Sequence, residues 1–215
     1  VCGMLSVQEA GRALSDLADA TLDAALQAGI ADYERRTGGA APARLLVVAM
    51  GRLGGRDLSY ASDADVMYVH APRAGETEAA SGAAALEIIN AVSRELAVPS
   101  PDPPLGLDAD LRPEGRQGPL VRSIEGFRAY YQRFSAPWEA QALLRARTMA
   151  GDGALALEYT ELIDPVRYPA GGLTDSDLRQ MRRLKARMEA ERLPRGADPR
   201  RNTKLGPGGL SDVEW

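Results

Sequence analysis

Two unbroken apolar runs of strand length, RLLVVAM at 44–50 and DVMYVH at 65–70, bracket a segment rich in glycine, hydroxyls and carboxylates. Runs of this kind, with two Val in the first, read as buried strands. The second opens on a carboxylate, in the string Ser62-Asp63-Ala64-Asp65. Ionised Asp is a poor strand residue and costly to bury unpaired, so a cation is expected to offset it.

The rest of the chain supplies helices on either side. Residues 6–37 carry Leu5, Ala13, Leu14, Leu17, Leu22, Ala25 and Leu26 at roughly helical spacing, giving one long or two shorter helices ended by Gly38 and Gly39. Residues 79–96 read as a helix. After a proline-rich stretch at 99–104, GLDADLR at 106–112 alternates Leu107, Ala109 and Leu111 with Asp108, Asp110 and Arg112, the signature of a strand with one polar face. From Ser123 the pattern turns helical, at about 123–134, 137–150, 153–163 and 174–193, with Ser123 and Thr174 as N-caps and Pro137 in a first turn. No repeat of solenoid period occurs. The expected organisation is an α+β chain with a small mixed sheet. It comprises a helical segment at 1–38, a core carrying the sheet at 39–120, a helical subdomain at 121–200, and the start of a further helical region at 201–215. The opening on Val1 and the stop at Trp215, just past a glycine turn, read as a fragment of a longer protein.

Composition narrows the chemistry. Hydrophobic residues at 45% and charged residues at 26% support a folded core, and 5% aromatics favours helix packing over a β-sandwich. The formal charge of −4 argues against a generally basic nucleic-acid surface. A single cysteine, Cys2, excludes an internal disulfide and a cysteine-rich zinc site and fits a cytoplasmic location. The lone His70 excludes a multi-histidine metal centre and a histidine-based triad. No apolar run approaches a membrane span, so no membrane partner is expected.

Asp63 and Asp65 are two apart and share a face of an extended chain, as do Asp108 and Asp110. If the two strands are neighbours, three or four carboxylates converge. Carboxylate oxygens suit Mg²⁺, with phosphates and waters completing its shell, and two ions can flank a transferred phosphoryl group. The plainer alternative makes Asp63 and Asp65 turn and strand-start residues with Ser62 as turn partner. Gly51, Gly54 and Gly55 can adopt positive φ and bring backbone N–H groups close to an anion. Neither the P-loop nor the dinucleotide fingerprint is present.

Gly-Gly, a spacer, then hydroxyl-Asp-x-Asp entering an apolar strand resembles the DNA polymerase β-like nucleotidyltransferases. The fuller string GRLGGRDLSYASDADVMYV, with LDADLRPEG, WEAQALLRAR at 138–147 and KLGPGGLSDVEW at 204–215, resembles bifunctional glutamine synthetase adenylyltransferase/adenylyl-removing enzymes over essentially the whole chain. That family carries two nucleotidyltransferase domains, and residues 51–69 look more like the C-terminal, transferring copy. The resemblance implies AMP transfer from ATP to a tyrosine of glutamine synthetase. It places metal carboxylates at Asp63, Asp65 and Asp108 for two Mg²⁺, and nucleotide contacts at Gly54, Gly55, Ser62 and Arg112. Asp110 stands where the family is often basic, and Gly55 replaces the superfamily's usual serine. A PII-type signalling protein is the implied regulator. The alternatives are the adenylyl-removing domain, which uses the same carboxylates, and a nucleotide-binding regulatory module without turnover. Among lesser signals, Trp138 reads as packing, Arg145 and Arg147 as surface cations with phosphate reach as the minority reading, the 179–195 run as a solvated helix face, and His70 as incidental.

Overall fold

The computed structural model describes residues 3–60, 62–99, 104–134, 136–192, 196 and 198–214. Cys2, residues 100–103 of the proline-rich stretch, the 193–195 end of the basic run and Trp215 lie outside the described residues.

Both apolar runs are strands. β1 (Ala43–Ala49) and β2 (Ala64–Pro72) pair antiparallel, from Ala43 opposite Pro72 to Ala49 opposite Val66. Two short strands, β3 (Leu107–Asp108) and β4 (Val121–Ser123), add in parallel to the other side of β2. β5 (Arg147–Gly151) pairs antiparallel with β1, with a register shift between Val47 and Val48. The result is an α+β fold with a small mixed sheet ordered β3-β2-β1-β5, β4 also lying on β2.

Helices cover both faces, which is why the two central strands do not alternate with polar residues. On one face Leu45, Val47, Val66 and Tyr68 pack with Leu22 and Leu26 of α1 (Val7–Thr37) and Ile88, Ile89 and Val92 of α3 (Glu78–Leu96). On the other, Leu46, Val48, Met67 and Val69 meet Phe127 of α4 (Ile124–Phe134), Leu143 of α5 (Pro137–Leu143), and Leu155 and Tyr159 of α6 (Gly153–Arg167). α7 (Asp175–Arg192) buries none of its side chains fully, as a solvated helix should.

α1 is one helix, not two. Ser6 and Glu9 form a reciprocal capping box, and Gly38 closes the other end at φ 75°. Its inward face is Gly11, Ser15, Ala18, Leu22 and Leu26, so Leu5 and Leu17, expected in the apolar set, are exposed. Gly11 is small for a reason: a Cβ there would stand 3.1 Å from Cα of Asp57.

Four expectations are corrected. The strand expected over 106–112 pairs only at Leu107–Asp108, because Asp108 Oδ1 accepts the Asp110 N–H at 2.7 Å and turns the chain out of the ladder. The helix expected over 137–150 stops at Leu143, and Arg147–Gly151 joins the sheet edge instead; the ladder to β1 overrides helix propensity. The second half, expected to be all helical, thus contributes β4 and β5. His70 is not incidental to the fold. It lies within β2, 5% exposed, with Nδ1 2.9 Å from Ser81 Oγ on α3.

Candidate active site

The acidic residues meet at the start of β2. Asp65 stands directly opposite Asp108 on the neighbouring parallel strand, and Ala64 opposite Leu107. Residues in register on adjacent strands share a face, so these two carboxylates leave the sheet on the same side. By the same period Asp65 shares the face of Met67 and Val69, which α4, α5 and α6 cover farther along the strand. Asp65 and Asp108 are half-buried, whereas Asp63, just before the strand, is exposed.

Two glycines shape the approach to these side chains. Gly51 has φ 50°, and a Cβ there would overlap Oδ2 of Asp65. A Cβ at Gly106 would stand 2.5 Å from Oδ1 of Asp63. The carboxylates therefore splay: Asp65 leans toward the chain leaving β1, and Asp63 toward the entry to β3. This explains why, among the described residues, no three His, Cys, Asp or Glu side chains are gathered closely enough to hold a metal ion, where sequence reasoning expected three or four to converge. Asp110 is turned away from the group and pairs with Arg116 at 2.7 Å. The facing Asp65–Asp108 pair offers carboxylate oxygens, the donor chemistry that suits Mg²⁺.

The glycine segment uses that conformational freedom at one position. α2 (Gly51–Gly54) is a single helical turn, followed by Gly55 at φ −75°. Of the three glycines only Gly51 takes positive φ; the next left-handed residue is Arg56, φ 57°. Gly54 is needed for contact rather than conformation, since a Cβ would overlap the Arg145 carbonyl. The turn is anchored to the acidic strand by the Met50 N–H, which donates to the Asp65 carbonyl at 2.8 Å. Sequence did not single out Gly106, and it marked Gly51 only for the anion turn, because the carboxylates the two accommodate come from elsewhere in the chain.

Ser62 is half-buried, and its Oγ lies 3.1 Å from Ser59 Oγ, which accepts from Arg52 at 2.9 Å. Arg112 donates to the Ala109 carbonyl at 2.7 Å and the Gly118 carbonyl at 3.2 Å, so it braces the loop that follows Asp108. Arg145 pairs with Asp57 at 3.3 Å, and Arg147 with Asp19 at 2.8 Å. Across the helical layer, burial first and Glu139 next push the Tyr130 hydroxyl up to about 12, so it stays protonated and donates to Glu139 at 2.7 Å. Two concavities of about 520 and 420 Å³ border α4–α7, and none of Asp63, Asp65 and Asp108 lines either.

Residues 1–161 match the glutamate-ammonia ligase adenylyltransferase family. A Streptomyces coelicolor protein named bifunctional glutamine synthetase adenylyltransferase/adenylyl-removing enzyme is 56% identical over 205 residues, covering 95% of this chain and 20% of its own length. Proteins of the same name from Nocardia farcinica and Mycobacterium tuberculosis are 52% and 49% identical, each covering 99% of this chain and 21% of their own length. The chain thus spans about a fifth of the curated relatives it matches. With three quarters of its residues inside the family match, and with the acidic sheet end inside that region, the chain belongs to the glutamate-ammonia ligase adenylyltransferase family.

Proposed function

We propose that this segment is the metal-dependent nucleotidyl-transfer centre of its protein, moving AMP from ATP to a tyrosine of glutamine synthetase. The observation that carries this reading is the facing of Asp65 and Asp108 on neighbouring parallel strands, with Asp63 two residues ahead and Gly51 packed on the Asp65 carboxylate. Asp63, Asp65 and Asp108, which splay apart here, would have to draw together to hold Mg²⁺. When bound, it neutralises triphosphate charge and assists the leaving pyrophosphate. The chain's own residues position the reactants. Gly51 leaves room for the carboxylate it packs on. Asp108, its orientation fixed by the Asp110 N–H, takes the proton of the attacking tyrosine hydroxyl. The bond from tyrosine oxygen to the α-phosphorus forms, the bond from that phosphorus to the bridging oxygen breaks, and pyrophosphate leaves. Ser62 and the Gly54-Gly55 turn serve the nucleotide, and Arg112 serves it by bracing the loop after Asp108. The resemblance of the motifs supports regulation by a PII-type protein, and the single cysteine supports a cytoplasmic setting.

The transferring copy is favoured over the removing one by the resemblance of residues 51–69. A paired assay on the full-length parent tests this. Asp63→Asn should abolish ATP-dependent labelling of glutamine synthetase and spare phosphate-dependent AMP release. Loss of release with labelling intact would reverse the assignment.

A further inference from the structure

The charged network on the β5 side of the glycine turn takes no part in the chemistry above, and it converges on one guanidinium. Arg147, the first residue of β5, has a side chain only 23% exposed. Its Nη1 and Nη2 donate to the two carboxylate oxygens of Asp19 on α1, at 2.8 and 2.9 Å. The same Nη2 donates to the Leu53 carbonyl at 3.1 Å, and Nε to the Gly54 carbonyl at 3.4 Å. Those carbonyls end α2, a single turn too short to hold its own geometry. Its other end is tied to the acidic strand through the Met50 N–H and the packing of Gly51 on Asp65. α2 is therefore a short strut between Asp65 and Arg147. Only a planar fork with donors on several edges serves one carboxylate and two carbonyls at once.

We propose that Arg147, oriented by Asp19, is a positioning residue for nucleotidyl transfer: it seats the turn at 50–55 against Asp65 without touching the nucleotide. This rests on the reading of the acidic face given above. Neighbouring contacts restrain the adjoining loop in the same way. Arg56 pairs with Asp16 at 2.6 Å, and the Leu58 N–H donates to Ser15 Oγ at 3.3 Å. These side chains bind the chain after the turn, whereas the Arg147 side chain reaches the carbonyls of α2 itself, where the Leu53 carbonyl also accepts the Arg56 backbone N–H at 3.2 Å.

The test uses the full-length parent as wild type, as Arg147→Lys, as Arg147→Asp, and as the exchanged pair Asp19→Arg with Arg147→Asp. Thermal midpoint, ATP binding with Mg²⁺, and kcat and KM for ATP and for glutamine synthetase are measured on each. Lysine keeps the charge pair but cannot serve both carbonyls. Arg147→Lys should hold the thermal midpoint near wild type while kcat/KM for ATP falls by up to about a hundredfold, the scale of a small misplacement. The KM for glutamine synthetase should stay unchanged. The exchanged pair should recover stability relative to Arg147→Asp alone but not ATP kcat/KM, since a carboxylate on β5 cannot donate to the Leu53 and Gly54 carbonyls. ATP kinetics equal to wild type in Arg147→Lys, or restored by the exchange, would overturn the proposal and leave Arg147 a plain staple. Wild type that binds no nucleotide with Mg²⁺ would overturn the nucleotidyl-transfer reading itself, and this proposal with it.

Discussion

Gly51, Gly54 and Gly55 look alike as letters, and the structure gives each a different duty. Gly51 combines positive φ with close packing on the Asp65 carboxylate; Gly55 sits at an ordinary φ of −75°, and a Cβ there would press on the end of the Asp57 side chain at 3.0 Å and meet Arg145 Nη1 and the Gly51 carbonyl at an ordinary 3.5 Å. Gly51→Ala should therefore cost about 1–2 kcal/mol of stability through the left-handed backbone alone. It should also remove AMP transfer by displacing Asp65. Gly55→Ala should retain most of both. Thermal unfolding and a transfer assay on the two variants check this, and equal effects at both positions would refute the division. The sequence marked the aspartates, because carboxylates at a buried strand call for a cation. It could not mark which glycine mattered, because that depends on Asp65 and on Arg145, which reach the segment only through the sheet.

At the scale of elements, β1, β2 and α3 were legible because their residues carry enough apolar surface to identify them locally. β4 and β5 were not, being three and five residues long and held by partners distant in sequence, and β3 was legible only in its position. The alternation at 106–112 pointed to a strand, and the Asp108 side chain competing for the Asp110 N–H cut it to two residues. The β2–α3 contact also carries a titrating group that sequence reading set aside. Burial pulls the His70 imidazole below its ordinary value, with Glu78 opposing weakly. In the unfolded chain the imidazole gains its proton near pH 6.5, whereas in the fold it does so only at lower pH. Between those limits the unfolded state binds more protons, so stability rises with pH, is complete above the ordinary value, and is lost as pH falls below it. His70→Asn keeps a polar partner for Ser81 and removes the titration. Denaturant unfolding from pH 7 down to 5 should show a steeper loss in wild type than in His70→Asn. Parallel curves would mean that the burial of His70 costs its charged form nothing.

At the scale of the whole molecule, helices pack on both faces of the sheet, and the acidic residues sit at its end, where Asp63 is exposed and Asp65 and Asp108 are half-buried. The chain represents about a fifth of the length of its relatives, so the acceptor protein and the regulator are matters for the full-length parent. No helix among the described residues is long and apolar enough to cross a membrane. Removing one negative charge from the acidic face should be neutral or mildly stabilising without metal, because like charges then repel less. That separates chemistry from folding in a single variant. The most direct measurement is transfer of AMP from ATP, labelled at the α-phosphate, onto glutamine synthetase by the full-length parent, with wild type beside Asp65→Asn and each with Mg²⁺ or excess chelator. The account predicts labelling by wild type with Mg²⁺ only, and none by Asp65→Asn at an unchanged thermal midpoint. Near-normal labelling by Asp65→Asn, or by wild type in chelator, would contradict it.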